Sequence, residues 1–153
     1  MPRPSKRSGR RELRAVVDTN VWVSGLIVPN SPPGRILEAI RTRRITPLAT
    51  WELAEEIAEV LRRPELRRYR IEEEDIVELL AILAPFLPTV DVPVTLRDKD
   101  DLHVVSAAVS GKAGAIITGD QDLLADPDRR RWLTRNRVAL FTPAEAVDAL
   151  INS

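Results

Sequence analysis

The chain contains no cysteine. That absence excludes disulfides and thiolate metal sites, so any metal must be held by oxygen or by the single histidine, His103. No apolar run approaches the roughly 20 residues needed to span a bilayer, which argues against a membrane protein. The basic N-terminus has no apolar core of the kind a secretory signal carries. Together these absences lead to the expectation of a cytoplasmic protein. An excess of charge is lacking too: 23 Lys and Arg balance 23 Asp and Glu. Residues 1–14 hold six of the 23 basic residues and one of the 23 acidic ones, which leaves 17 against 22 in the body. The bulk basic charge of many nucleic-acid binders is therefore absent, and the balance fits an acidic pocket within a mixed surface.

What is present bounds the architecture. The 153 residues are 44% hydrophobic and 30% charged, enough for one domain with a proper core. Residues 1–12, rich in Pro, Ser and Arg, read as a disordered basic tail or an RNA-contacting arm. Residues 13–153 read as a single domain, without repeats or a dividing linker.

Residues 13–18 form an apolar run without alternation, the pattern of a buried strand. Ser31-Pro32-Pro33 opens a helix with proline in its first turn. Residues 45–49 read as a strand. Thr50 caps a helix running to about Arg63, with Leu53, Ile57, Val60 and Leu61 on its apolar face, and Pro64 ends it. Residues 71–83 form another helix, whose early acids Glu72 to Asp75 complement its dipole. A short strand is expected at 89–94 and a helix at 98–110, with Gly111 as its C-cap. Residues 115–118 are a buried strand, Leu123-Leu124 a helical turn and 138–141 a last strand. Thr142-Pro143-Ala144-Glu145 is a capping box that opens the closing helix. Strands alternating with helices imply an α/β fold with a parallel sheet covered on both faces.

The chemistry-bearing residues fall at strand ends. Asp18 terminates Ala15-Val16-Val17, and Asp120 follows Ala115-Ile116-Ile117-Thr118-Gly119. In open α/β sheets, ligands bind beyond the carboxyl ends of the strands. A third acidic group, Asp98-Lys99-Asp100-Asp101, opens a helix before the second of these strands, and Asp122 lies two residues past Asp120. Like charges gathered at one sheet edge repel unless a cation lies between them. An all-carboxylate site suits hard cations such as Mg²⁺ or Mn²⁺, and such sites suit phosphoryl transfer.

With these residues in this order, the sequence resembles the PIN-domain family of metal-dependent ribonucleases, which includes toxins of bacterial toxin–antitoxin pairs. The resemblance covers residues 13–150. It rests on Val16-Val17-Asp18-Thr19-Asn20-Val21, on Glu56 in its helix, on Asp98-Lys99-Asp100-Asp101, and on Ile117-Thr118-Gly119-Asp120-Gln121-Asp122-Leu123-Leu124. It implies a three-layer α/β/α sandwich around a short parallel sheet. It also implies Mg²⁺ or Mn²⁺ as cofactor, RNA as substrate, a cognate antitoxin as partner and a homodimer. Carried over residue by residue, Asp18, Glu56, Asp101 and Asp120 resemble the catalytic, metal-binding carboxylates. Asp98 and Asp122 are expected as further metal ligands, Asp98 alternatively as a plain helix N-cap. Asp98, Asp100 and Asp101 compete for the third place, and Glu52, Glu55 and Glu59 share the helix with Glu56.

Around them, Thr19, Asn20 and Thr118 are expected to orient Asp18 or a water, or to satisfy the local backbone. His103 is expected to have a surface or structural role. Arg129, Arg130 and Arg131, with Arg135 and Arg137, form a basic stretch that either contacts phosphates or is a solvated surface. Trp22, Trp51 and Trp132 are expected as core or interface anchors. Two other functions compete: a catalytically inactive RNA- or protein-binding domain, and a phosphatase using Asp18 as nucleophile. The second normally needs an acid two residues on, where this chain has Asn20.

Overall fold

The computed structural model of the chain describes residues 13–86, 107–108 and 111–150. In chain order its elements begin with β1 (Leu13–Val17), α1 (Thr19–Ile27), α2 (Pro32–Arg41) and β2 (Ile45–Pro47). Then come α3 (Trp51–Leu61), a 3₁₀ turn (Pro64–Tyr69), α4 (Glu73–Leu83) and a second 3₁₀ turn (Ala84–Phe86). The last group is β3 (Ala115–Ile117), α5 (Gln121–Ala125), α6 (Pro127–Arg135), β4 (Ala139–Phe141) and α7 (Pro143–Leu150).

The four strands form one sheet in the order β2-β1-β3-β4, and every pair is parallel. The apolar runs explain why β1 and β3 take the centre. Ala15 to Val17 and Ala115 to Ile117 are all buried. Successive side chains of a strand point to opposite faces, so each run feeds two cores. Ala15, Val17, Ala115 and Ile117 join Trp22, Ile36, Ile40, Leu53, Ile57 and Leu79 in the larger core. Val16 and Ile116 face the other way and pack with Leu48, Ala108, Leu123, Leu133 and Val138. Helices on both faces of the sheet make the three-layer α/β/α arrangement expected from the sequence.

Helix starts follow the capping chemistry written in the chain. Ser31 Oγ accepts from Gly34 N at 3.2 Å, with prolines in the first turn of α2. Gly34 is required there, because a Cβ would lie 2.0 Å from the carbonyl oxygen of Pro29. Thr50 Oγ1 accepts from Leu53 N at 3.1 Å and opens α3. Thr142 and Glu145 exchange the two bonds of a capping box ahead of α7.

Several boundaries differ from expectation. β1 stops at Val17 because Asp18 caps α1, and β2 stops at Pro47, three residues before Thr50 caps α3. Helix α1 and the 3₁₀ turn at Pro64–Tyr69 had no counterpart in the sequence reading. The strand expected at 89–94, the tail at 1–12 and most of the helix at 98–110 lie outside the described residues. Within that last segment Ala107 and Ala108 are helical, and Gly111 N donates to Ala107 O at 2.9 Å. Among the described residues, no helix is long and apolar enough to cross a membrane.

Candidate active site

Register brings the two aspartate motifs together. Val17 stands beside Ile117 in the parallel ladder, and Asp18 N extends it by donating to Ile117 O at 2.9 Å. Asp18 and Thr118 are therefore neighbours at the carboxyl edge of the sheet, although they are 100 residues apart in the chain.

Asp18 holds two positions at once. It ends β1, and it is the N-cap of α1, with Oδ1 accepting from Thr19 N at 2.8 Å. Its other oxygen, Oδ2, accepts from Thr118 Oγ1 at 2.7 Å and from Asn20 Nδ2 at 3.2 Å. Donors on both oxygens fix the rotation of the carboxylate, and hydrogen bonds to an ionised acceptor are the stronger kind.

Thr118 is fully buried. Its hydroxyl donates to Asp18 and accepts from Asp120 N at 3.0 Å, so one oxygen links the two expected site aspartates. Asn20 makes a second link, because its Oδ1 accepts from Gly119 N at 3.0 Å while its amide donates to Asp18. Thr19, also buried, reaches a third element: Thr19 Oγ1 donates to Glu56 Oε1 at 2.6 Å. Glu56 is half-buried on α3, and α3 is placed by the cap at Thr50 and by the burial of Leu53, Ile57 and Leu61.

Of the expected carboxylates, the structure thus connects Asp18 to Glu56 through Thr19, and Asp18 to Asp120 through Thr118. Among the four glutamates of α3, Glu56 is the one hydrogen-bonded to Thr19 beside Asp18. Asp120 is exposed and caps α5, its Oδ1 accepting from Asp122 N at 2.9 Å. Asp122 is exposed in the first turn of α5. Asp98, Asp100, Asp101 and His103 lie outside the described residues. The donors available are all oxygens, the set that suits Mg²⁺ or Mn²⁺. Among the described residues, no three His, Cys, Asp or Glu side chains converge closely enough to hold an ion.

The basic stretch lies on α6 and engages local partners. Arg129 Nη1 stands 3.5 Å from Asp126 Oδ2, Arg130 Nη1 donates to Leu124 O at 3.2 Å, and Arg131 pairs with Asp128. Exposed pairs of this kind are weak and open readily. Trp22 is a core residue, fully buried, with Nε1 donating to Val17 O at 3.0 Å. Trp51 and Trp132 are not in the core: they are 58% and 37% exposed. Trp51 begins α3, the helix that carries Glu56.

An α/β/α sandwich with an acidic carboxyl edge defines a class of fold and site, and comparison places it. The PIN domain family matches residues 14–122, and the chain belongs to that family. An uncharacterized protein of Methanocaldococcus jannaschii is 33% identical over 135 residues, covering 86% of each chain. No solved structure matches. PIN domains are in general metal-dependent nucleases that use divalent ions, which makes the hydrolase class the coarse reading for this chain.

Proposed function

We propose that the protein is a Mg²⁺- or Mn²⁺-dependent endoribonuclease, the toxin of a toxin–antitoxin pair. Asp18, Glu56, Asp101 and Asp120 would hold the metal, with Asp98 and Asp122 as further ligands. When bound, such an ion activates a water for attack on the phosphodiester and stabilises the leaving oxygen. Cleavage would leave a 5′-phosphate and a 3′-hydroxyl.

One observation carries this reading: the Thr118 hydroxyl donates to Asp18 and is itself held by Asp120 N. Hydrogen-bonded supports that fix a carboxylate's orientation are characteristic of metal ligands. Thr19 does the same for Glu56. Family membership supports the nuclease class. The toxin role, the antitoxin, the RNA substrate, the homodimer and the cytoplasmic setting belong to the proposal. The phosphatase reading is disfavoured by Asn20, whose amide donates to Asp18 where such enzymes need an acid.

The test is cleavage of a labelled RNA pool with Mn²⁺, with EDTA and with the Asp18→Asn protein. Asparagine keeps an oxygen to accept from Thr19 N at the helix cap while losing the charge, and circular dichroism checks that the domain stays folded. Metal-dependent cleavage that falls at least about 100-fold in Asp18→Asn supports the assignment. Unchanged cleavage by a folded Asp18→Asn protein overturns it.

A further inference from the structure

The 3₁₀ turn at Pro64–Tyr69 joins α3 to α4 and carries Arg67, Arg68 and Tyr69, followed at once by Arg70. All four are exposed, Tyr69 to 41%. The Arg68 guanidinium carbon lies 4.9 Å from the centre of the Tyr69 ring, and Arg68 Nη2 donates to Tyr69 Oη at 2.8 Å. A planar cation therefore lies over one face of an exposed ring.

Neighbouring acids do not neutralise this group. Glu73 is taken by Arg62 at 2.5 Å, and Glu59 by Arg63 at 2.7 Å. Glu72 and Asp75 exchange bonds in the cap of α4. Glu65 and Glu74 stand nearby, but neither forms an ion pair among the described residues. Arg67, Arg68 and Arg70 likewise have no carboxylate partner among them.

Position relates the turn to the site. Glu56 lies five residues, about 8 Å along the axis, before the end of α3 at Leu61, and the turn starts three residues later. That distance is on the order of a few nucleotides of a single strand.

We infer that Arg67, Arg68, Tyr69 and Arg70 form a docking surface for single-stranded RNA, separate from the carboxylate edge. This rests on the proposed ribonuclease function. The arginines contact successive phosphates and the ring accepts a base. Stacking on tyrosine needs an unpaired base, which selects single strands over duplex.

The test measures binding without cleavage. A labelled 12-nucleotide unstructured RNA is titrated in EDTA at several salt concentrations with the native protein, with the triple variant Arg67→Ala, Arg68→Ala, Arg70→Ala, and with Tyr69→Ala. In parallel, Mn²⁺-dependent hydrolysis of bis(p-nitrophenyl) phosphate reports on the carboxylate site alone. The triple variant should bind at least about tenfold more weakly, with a salt slope smaller by about 2. Tyr69→Ala should bind about tenfold more weakly with the slope retained. Hydrolysis of the small diester should be unchanged in both. Native-like RNA affinity in the variants overturns the inference, and so does equal loss of small-diester hydrolysis. Unchanged RNA affinity with lost binding of a polyglutamate peptide also overturns it, in favour of an acidic protein partner. A native protein that binds RNA through this turn but cleaves nothing would sink the nuclease reading and leave the docking surface standing.

Discussion

Replacing Thr118 with valine isolates one oxygen. The side chains have nearly the same shape, so the buried site stays filled while the hydroxyl disappears. Two hydrogen bonds go with it: the 2.7 Å bond to Asp18 Oδ2 and the 3.0 Å bond from Asp120 N. A bond to an ionised group contributes about 1.5–3 kcal/mol. The part-buried Asp120 amide loses its acceptor to a methyl group as well, which sets the expected loss toward the upper end of that range. The expected destabilisation is therefore about 2–3 kcal/mol, or roughly 5–10 °C in Tm for a domain of this size. Activity should fall by about 10–100-fold, because Asp18 loses the donor that holds Oδ2 from the far strand. Thr118→Ser supplies the control. It keeps the hydroxyl and removes one methyl, so it should cost about 1 kcal/mol and retain most activity. Urea titration and single-turnover RNA cleavage of the three proteins decide the matter. A valine protein as stable and as active as the native one refutes the reasoning. A serine protein as damaged as the valine protein would refute it too, by showing that shape and not the hydroxyl matters.

Three further outcomes are expected. Thr19→Val removes the 2.6 Å bond to Glu56 but keeps the backbone bond to Asp18, so cleavage should drop about tenfold with little change in overall fold, checked by circular dichroism. Gly34→Ala should destabilise by about 1–3 kcal/mol in denaturant titration, since the new Cβ must push the Pro29 carbonyl aside; a neutral result would contradict the packing described. The hydrogen bond from Arg62 and its charge hold the Glu73 carboxyl below its ordinary value of 4.5. That pair's contribution is therefore fully present above pH 4.5 and lost as pH falls through the lower folded value. Glu73→Gln should flatten this part of the acid stability profile, and an unaltered profile would count against the pair.

The legible parts of the fold were those written in local chemistry. Ser31 before two prolines, Thr50 before an amphipathic stretch, and Thr142 with Glu145 each announce a helix start through short-range bonds. The apolar runs at β1 and β3 announced themselves because central parallel strands are buried on both faces. Helix α1 was invisible for a related reason. Thr19-Asn20-Val21-Trp22-Val23-Ser24-Gly25-Leu26-Ile27 is rich in β-branched residues and buries Thr19, Val21, Trp22, Val23 and Gly25, so it shows no single apolar stripe. Tertiary packing overrides its poor helix propensity. The clue was Asp18 itself, which ends β1 and serves as the N-cap of α1. The order of the acidic motifs pointed to Asp18, Glu56, Asp101 and Asp120, of which the structure links Asp18 to Glu56 and to Asp120 through Thr19 and Thr118. The sequence did not reveal that Thr118 and Asn20 tie β1 to β3, because that depends on parallel register across 100 residues.

That long separation has a consequence for when the protein can act. The groups that orient Asp18 are made at opposite ends of synthesis, since Thr19 and Asn20 follow it directly while Thr118 comes 100 residues later. A nascent chain emerging from the ribosome therefore carries its first aspartate long before it carries the hydroxyl that holds it. Until β3 slots in beside β1, the carboxylate edge exists only in part. The edge that gathers Asp18, Thr118 and Asp120 is thus completed only late in synthesis, once β3 has paired with β1.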